Sequence, residues 1–107
     1  VEARYTRAYR ECGDKGVTTS DAAECLESEF ARQDKVLNAT RKATFARITG
    51  PRHQALLSAQ RRWVAQREPF CEKLVNEFTG GTIVPVIWSS CRTELTIRRI
   101  MWLETLK

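Results

Sequence analysis

Between Gly16 and Gly50 the chain contains neither glycine nor proline, the two residues that most readily interrupt a helix. Such a stretch is long for a globular protein. It opens on Thr18, Thr19, Ser20 and Asp21, a cluster of oxygens suited to capping a helix start, and Glu24 follows in an acidic first turn that complements the helix dipole. Ala22, Leu26, Phe30, Leu37, Phe45 and Ile48 then recur at roughly helical spacing. The expectation is one long helix reaching about Thr49.

Gly50 and Pro51 end that helix and start the next, which should run from about Pro51 to Phe78 and stop at Gly80-Gly81. So short a connection forces an antiparallel hairpin of long helices. Leu56, Leu57, Trp63, Val64, Phe70, Leu74, Val75 and Phe78 are the expected packing surface of the second helix, with Pro69 bending it near Gln66. Thr82 to Pro85 reads as an extended connection. A final helix from about Val86 to Leu106 carries Ile87, Cys91, Leu95, Met101, Trp102 and Leu106. Residues 1–17 form an N-terminal arm, with a modest helix over residues 2–11 ended by Gly13 and Gly16. The expected fold is all-α: a hairpin of long helices with a further helix packed on it, in a single domain spanning residues 1–107.

A chain of 107 residues supports one small core. Its four cysteines, Cys12, Cys25, Cys71 and Cys91, are separated by 13, 46 and 20 residues, and none of these spacings is the close pair of a metal clamp. Two disulfides are expected rather than reduced core cysteines. Cys71 and Cys91 fall on consecutive helices across the Gly80-Gly81 turn, and Cys12 and Cys25 bracket the loop before the long helix, so these are the expected pairs. The chain opens on Val1 and its only methionine is Met101, which is compatible with a removed export signal or with trimming. Disulfides tip the expectation towards export into an oxidising compartment.

Four fragments in order carry a resemblance. Asp34, Leu37 and Asn38 form D-x-x-L-N; Gln60, Trp63, Arg67 and Cys71 form Q-x-x-W-x-x-x-R-x-x-x-C; Gly80-Gly81 follow; and Cys91, Leu95, Thr96 and Arg98 form C-x-x-x-L-T-x-R. From about Cys12 to Leu106 the chain resembles the bacterial lysozyme-inhibitor LprI-like family, with Arg41 where that pattern has an aromatic residue. The resemblance implies a domain exported to the bacterial periplasm or exterior that works by binding protein, with lysozyme or another cell-wall hydrolase as target. Physically, the motif residues suit structural work. Gln60, Trp63, Arg67 and Cys71 share one helical face, and Arg67 can stack on Trp63. Asp34, Asn38, Gln60, Arg67 and Arg98 are expected to form a polar network fixing helix register, and a ligand pocket lined by Trp63, Arg67 and Arg98 is the sharper alternative.

Catalysis finds no foothold in the sequence: His53 is the only histidine and reads as a solvated residue beside Arg52, and no metal cluster, nucleophile motif or phosphate-cradling loop is present. Neither an enzyme, a cofactor nor a metal is expected. Charge is segregated instead. From Lys35 to Arg67 stand eight basic residues and no acidic one, whereas Asp21 to Glu29 hold four acidic residues and no basic one. The net charge of +5 opposes encounter with a basic lysozyme, so docking should use the acidic turn, Glu24, Glu27 and Glu29. The competing site is the hairpin tip, where Arg52 or His53 would insert among the carboxylates of a glycosidase cleft. A different class of function remains open: an envelope accessory protein, or an immunity-type partner, whose basic face contacts an anionic surface. Nucleic acid is not expected as a partner of an exported protein.

Overall fold

The computed structural model describes residues 1–78 and 80–107. Four helices follow a short 3-10 turn at Glu2–Arg4: α1 (Arg7–Lys15), α2 (Thr19–Arg47), α3 (Pro51–Val75) and α4 (Val84–Thr105). The fold is all-α, and both disulfides join the expected partners, Cys12 with Cys25 and Cys71 with Cys91.

Local chemistry accounts for most boundaries. α2 starts at a reciprocal cap in which the Thr18 hydroxyl accepts from the Asp21 N–H while the Asp21 carboxylate accepts from the N–H of Thr18 and of Val17. Gly50 takes φ +70°, a left-handed conformation that lets the chain reverse, and Pro51 supplies a first residue of α3 that needs no N–H. α3 continues through Pro69 and ends at Val75, earlier than Phe78, because Asn76 to Phe78 close tight turns onto Glu72, Leu74 and Val75. α4 begins at Val84 rather than Val86: Pro85 lies in its first turn, where a missing donor costs nothing, so the segment expected to be extended is partly helical. α1 likewise differs from the sequence reading. Thr6 caps it, and it runs through Gly13 to Lys15. A glycine inside a helix costs about 1 kcal/mol, and the Cys12–Cys25 bridge beside it offsets that cost.

α2 and α3 form the expected antiparallel pair, with Arg67 against Asp34 and His53 against Phe45. Their backbones nevertheless pack mainly on α4, which runs parallel to α2 and antiparallel to α3, as the Glu27–Arg92, Arg47–Leu106 and Cys71–Cys91 contacts record. The result is a slab of 50 × 30 × 16 Å. Its radius of gyration of 15.6 Å exceeds the roughly 13 Å of a round domain this size, so there is little interior. Leu37, Ile100 and Leu103 form the central cluster, with Trp63 and Leu106 packed against it. The apolar surface expected on α3 is largely exposed at Val64, Phe70, Leu74 and Phe78, because a slab gives this helix no second layer to pack against.

Glu29 is fully buried and docks the arm. Its carboxylate accepts the N–H (2.8 Å) and hydroxyl (2.6 Å) of Thr6, with Arg32 and Gln33 as further donors, while Gln33 also reaches the Arg4 carbonyl. Burial pushes the Glu29 carboxyl up, but the hydrogen bonds from Thr6, Gln33 and Arg32 outweigh it and hold the group below its usual range. A depressed carboxylate stabilises the folded form above its unfolded pKa of about 4.3, and that contribution fades as pH falls through the lower folded value. Acidification below about pH 4 is therefore expected to release the Glu2–Lys15 arm before α2 to α4 unfold. NMR shifts of α1 moving to coil positions while those of α2 stay fixed would show it; simultaneous loss of both would contradict it.

Candidate functional site

The seam between the helices is filled by cations and rings in alternation. On α4, Trp88, Arg92, Arg99 and Trp102 recur at intervals of four, seven and three residues, which keeps them on one face. α3 contributes Trp63 and Arg67, one turn apart, and α2 contributes Phe30. Arg92 lies 5.0 Å from the centre of the Trp88 ring and 4.0 Å from that of Phe30; Arg67 lies 5.0 Å from Phe30 and 5.1 Å from Trp63; Arg99 lies 5.6 Å from Trp63 and 4.0 Å from Trp102. Each such contact is worth about 0.5 to 2 kcal/mol depending on desolvation. Polar partners complete the ladder. Arg67 donates to Asp34 (2.8 Å) and Thr96 (3.2 Å), Arg92 to Glu27 (2.6 and 2.8 Å), and Arg99 to the Gln60 carbonyl oxygen (2.9 Å). No carboxylate pairs with Arg99 among the described residues, and burial lowers the pKa of its guanidinium.

This arrangement brings together Asp34, Gln60, Trp63 and Arg67, as the sequence motifs suggested, but corrects two other members of the expected network. Arg98 is exposed and pairs with Glu94, and Asn38 is exposed on α2. The inward cations are Arg92 and Arg99. One residue on a helix is about 100° of rotation, so reading the α4 stripe through Arg98 missed them. The spacings Trp88-x-x-x-Arg92 and Arg99-x-x-Trp102 were the available signal. Trp63 and Arg67 face other side chains in the seam while Arg98 turns to Glu94, so the structure does not bring these three together.

An open cleft lies elsewhere. α2 and α4 run parallel, so their N-terminal ends sit side by side and leave a space of about 650 Å³ walled by Glu24, Glu27, Thr19, Pro85, Trp88 and Ser89. Burial raises the Glu27 carboxyl, but hydrogen bonds from Ser89 (2.6 Å) and Arg92 outweigh it and keep it ionised below its usual range. Glu24 is exposed one turn earlier on the same helix. Asp21 is engaged in the α2 cap and held low by the N–H groups of Val17 and Thr18. Glu68, Glu72 and Glu77, near the end of α3, belong to the same end of the slab, with Glu68 3.6 Å from Arg92. The cleft thus sets an indole ring beside the exposed Glu24 carboxylate and the Glu27 carboxylate that Arg92 holds.

The other candidates occupy different places. Glu29 lies under the arm with its oxygens engaged, so it does not belong to an exposed acidic turn. At the hairpin tip Arg52 donates to the Lys107 carbonyl (2.7 Å), and His53 sits 2.9 Å from the Ile48 carbonyl through Nδ1 and edge-on to Phe45. Gly80 and Gly81 take φ +78° and +89° in the turn before α4. Of the eight cations from Lys35 to Arg67, only Arg67 is in an ion pair among the described residues.

Comparison with known proteins adds two findings. A family described as Lysozyme inhibitor LprI matches residues 12–103, including both disulfides. An uncharacterised protein of Rhizobium meliloti (strain 1021) is 29% identical over 105 residues, covering 86% of this chain and 76% of that protein. No solved structure matches.

Proposed function

The chain belongs to the LprI lysozyme-inhibitor family, and from that premise we propose that it is an exported protein-binding domain that inhibits a lysozyme or related cell-wall hydrolase by docking its acidic pole on the enzyme. The observation that supports this reading is the cleft of about 650 Å³ between the N-terminal ends of α2 and α4, lined by Glu24 and Glu27 of α2 and Trp88 of α4. An aromatic ring beside a carboxylate suits a basic side chain presented by a partner, with the indole supplying contact area and the exposed Glu24 supplying charge, since Glu27 is already paired with Arg92. A net charge of +5 would otherwise repel a cationic enzyme. Segregation answers that difficulty, since Asp21, Glu24, Glu27, Glu68, Glu72 and Glu77 gather at this pole while the cations from Lys35 to Arg62 lie along the rest of α2 and α3. The two disulfides suit an oxidising compartment such as the periplasm.

Association kinetics with purified lysozymes, read beside an inhibition assay, test the proposal. Glu24 is exposed and outside the Arg–aromatic ladder, so Glu24→Arg changes the pole without disturbing the fold. It is expected to slow association about tenfold at low salt and flatten the salt dependence. Arg52→Ala should leave both within about twofold. The opposite pattern moves the site to the hairpin tip, and failure of the unmodified protein to bind or inhibit any lysozyme removes the reading.

A further inference from the structure

At the pole away from the acidic cleft, α2 and α3 leave a second groove of about 480 Å³. Its floor is apolar, formed by Phe45, Leu57, Val64 and Ala65, and Arg41 and Arg61 stand on its two sides. No carboxylate lines it. The Arg41 guanidinium lies 5.8 Å from the centre of the Phe45 ring, which holds the cation at the rim, and Arg61 is exposed. Neither is in an ion pair among the described residues, and the same holds for Lys35 and Lys42 nearby on α2. Val64, at 52% exposure, shows that apolar surface inside this cationic frame is open to whatever approaches.

We propose that this groove is a peripheral membrane-contact site that seats the headgroup of an anionic phospholipid between Arg41 and Arg61, with the start of its acyl chains on the Phe45–Leu57–Val64 floor. Two cations beside an apolar floor match an amphiphile: the phosphate takes the guanidinium donors and the adjacent hydrocarbon takes the floor. A polyanion such as nucleic acid has no use for the floor, and the disulfides suit an oxidising compartment where it is not the expected partner. Among the described residues no helix is long and apolar enough to cross a membrane, so the contact is at the surface. Because the basic groove and the acidic cleft occupy opposite ends of α2, a domain lying on the membrane by one pole presents the other to solvent. This site is independent of lysozyme binding, and its failure leaves that proposal standing.

Cosedimentation with vesicles of phosphatidylcholine alone or mixed with phosphatidylglycerol tests it, at physiological salt so that distant charges are screened. The intact protein is expected on mixed vesicles and not on neutral ones. Replacing both groove cations, Arg41→Gln with Arg61→Gln, should lower partitioning about thirtyfold, from roughly a fivefold contribution per basic residue at an anionic surface, whereas Lys35→Gln with Lys42→Gln should lower it no more than about threefold. Val64→Trp places a reporter on the exposed floor, and its emission should shift to the blue on mixed vesicles only. Equal losses from the two cation pairs would reduce the site to diffuse attraction and overturn the groove. Equal binding to neutral vesicles, displacement by millimolar glycerophosphate, or preference for a soluble polyanion such as duplex DNA over vesicles would each overturn the membrane assignment.

Discussion

Arg67→Ala is expected to lower the unfolding free energy by about 3 kcal/mol, from two lost cation–π contacts and the charged hydrogen bonds to Asp34 and Thr96. Only 12% of the Arg67 side chain is exposed, so water does not replace what is removed. The Asp34 side chain is 35% exposed and can hydrate once its partner is gone, which keeps the cost from reaching the upper end seen for buried pairs. Arg67→Met tests the interpretation, because it keeps the volume between Phe30 and Trp63 and removes the charge. Buried ion pairs often lose little to well-packed apolar replacements, so Met should cost less than Ala. Urea unfolding of the three proteins provides the comparison. A loss below about 1 kcal/mol for Arg67→Ala would mean that the ladder is ornamental to stability.

The Cys71–Cys91 bridge should match that effect. It closes a 20-residue separation, and on chain-entropy grounds its replacement by alanines is expected to cost about 3 kcal/mol. The consequence is global, since the bridge ties α3 to α4 and Cys71 is fully buried. Removing Cys12–Cys25, with its 13-residue separation, frees less of the molecule. α1 contacts α2, and its docking rests on Glu29, so that variant should unravel the arm locally while the midpoint for α2 to α4 changes little. Hydrogen exchange resolves the two cases: protection lost across α3 and α4 for the first, and across α1 alone for the second. Uniform loss in both would mean that the arm and the slab unfold as one unit.

The disulfide partners were legible because each pair spans one turn between neighbouring elements, and the cysteine positions on those elements follow from helix boundaries alone. Glu24 and Glu27 were legible as acidic residues but not as walls of a cleft with Trp88, since that cleft exists only because α4 lies parallel to α2. Glu29 shows the reverse. It reads as one more exposed acid in the sequence, yet the arm folds over it and Thr6 takes both of its oxygens. Nothing in the spacing of Thr6 and Glu29, 23 residues apart, announces that contact.

What the sequence determined by itself is local: the capped start and the length of α2, the reversal at Gly50-Pro51, the cysteine pairs, and the separation of charge along α2 and α3. Caps, breakers and short loops act over a few residues of backbone, so they can be read from neighbours in the chain. Only the tertiary structure decided that α4 is the shared partner of α2 and α3, that α3 leaves Phe70 and Val64 exposed, and that Arg92 and Arg99 rather than Arg98 turn inward. Those choices depend on the rotation of each helix about its axis, where a single residue is about 100°, and on which large rings and guanidinium groups fill the seam together. No periodicity within one helix contains that information, because it belongs to the fit between helices.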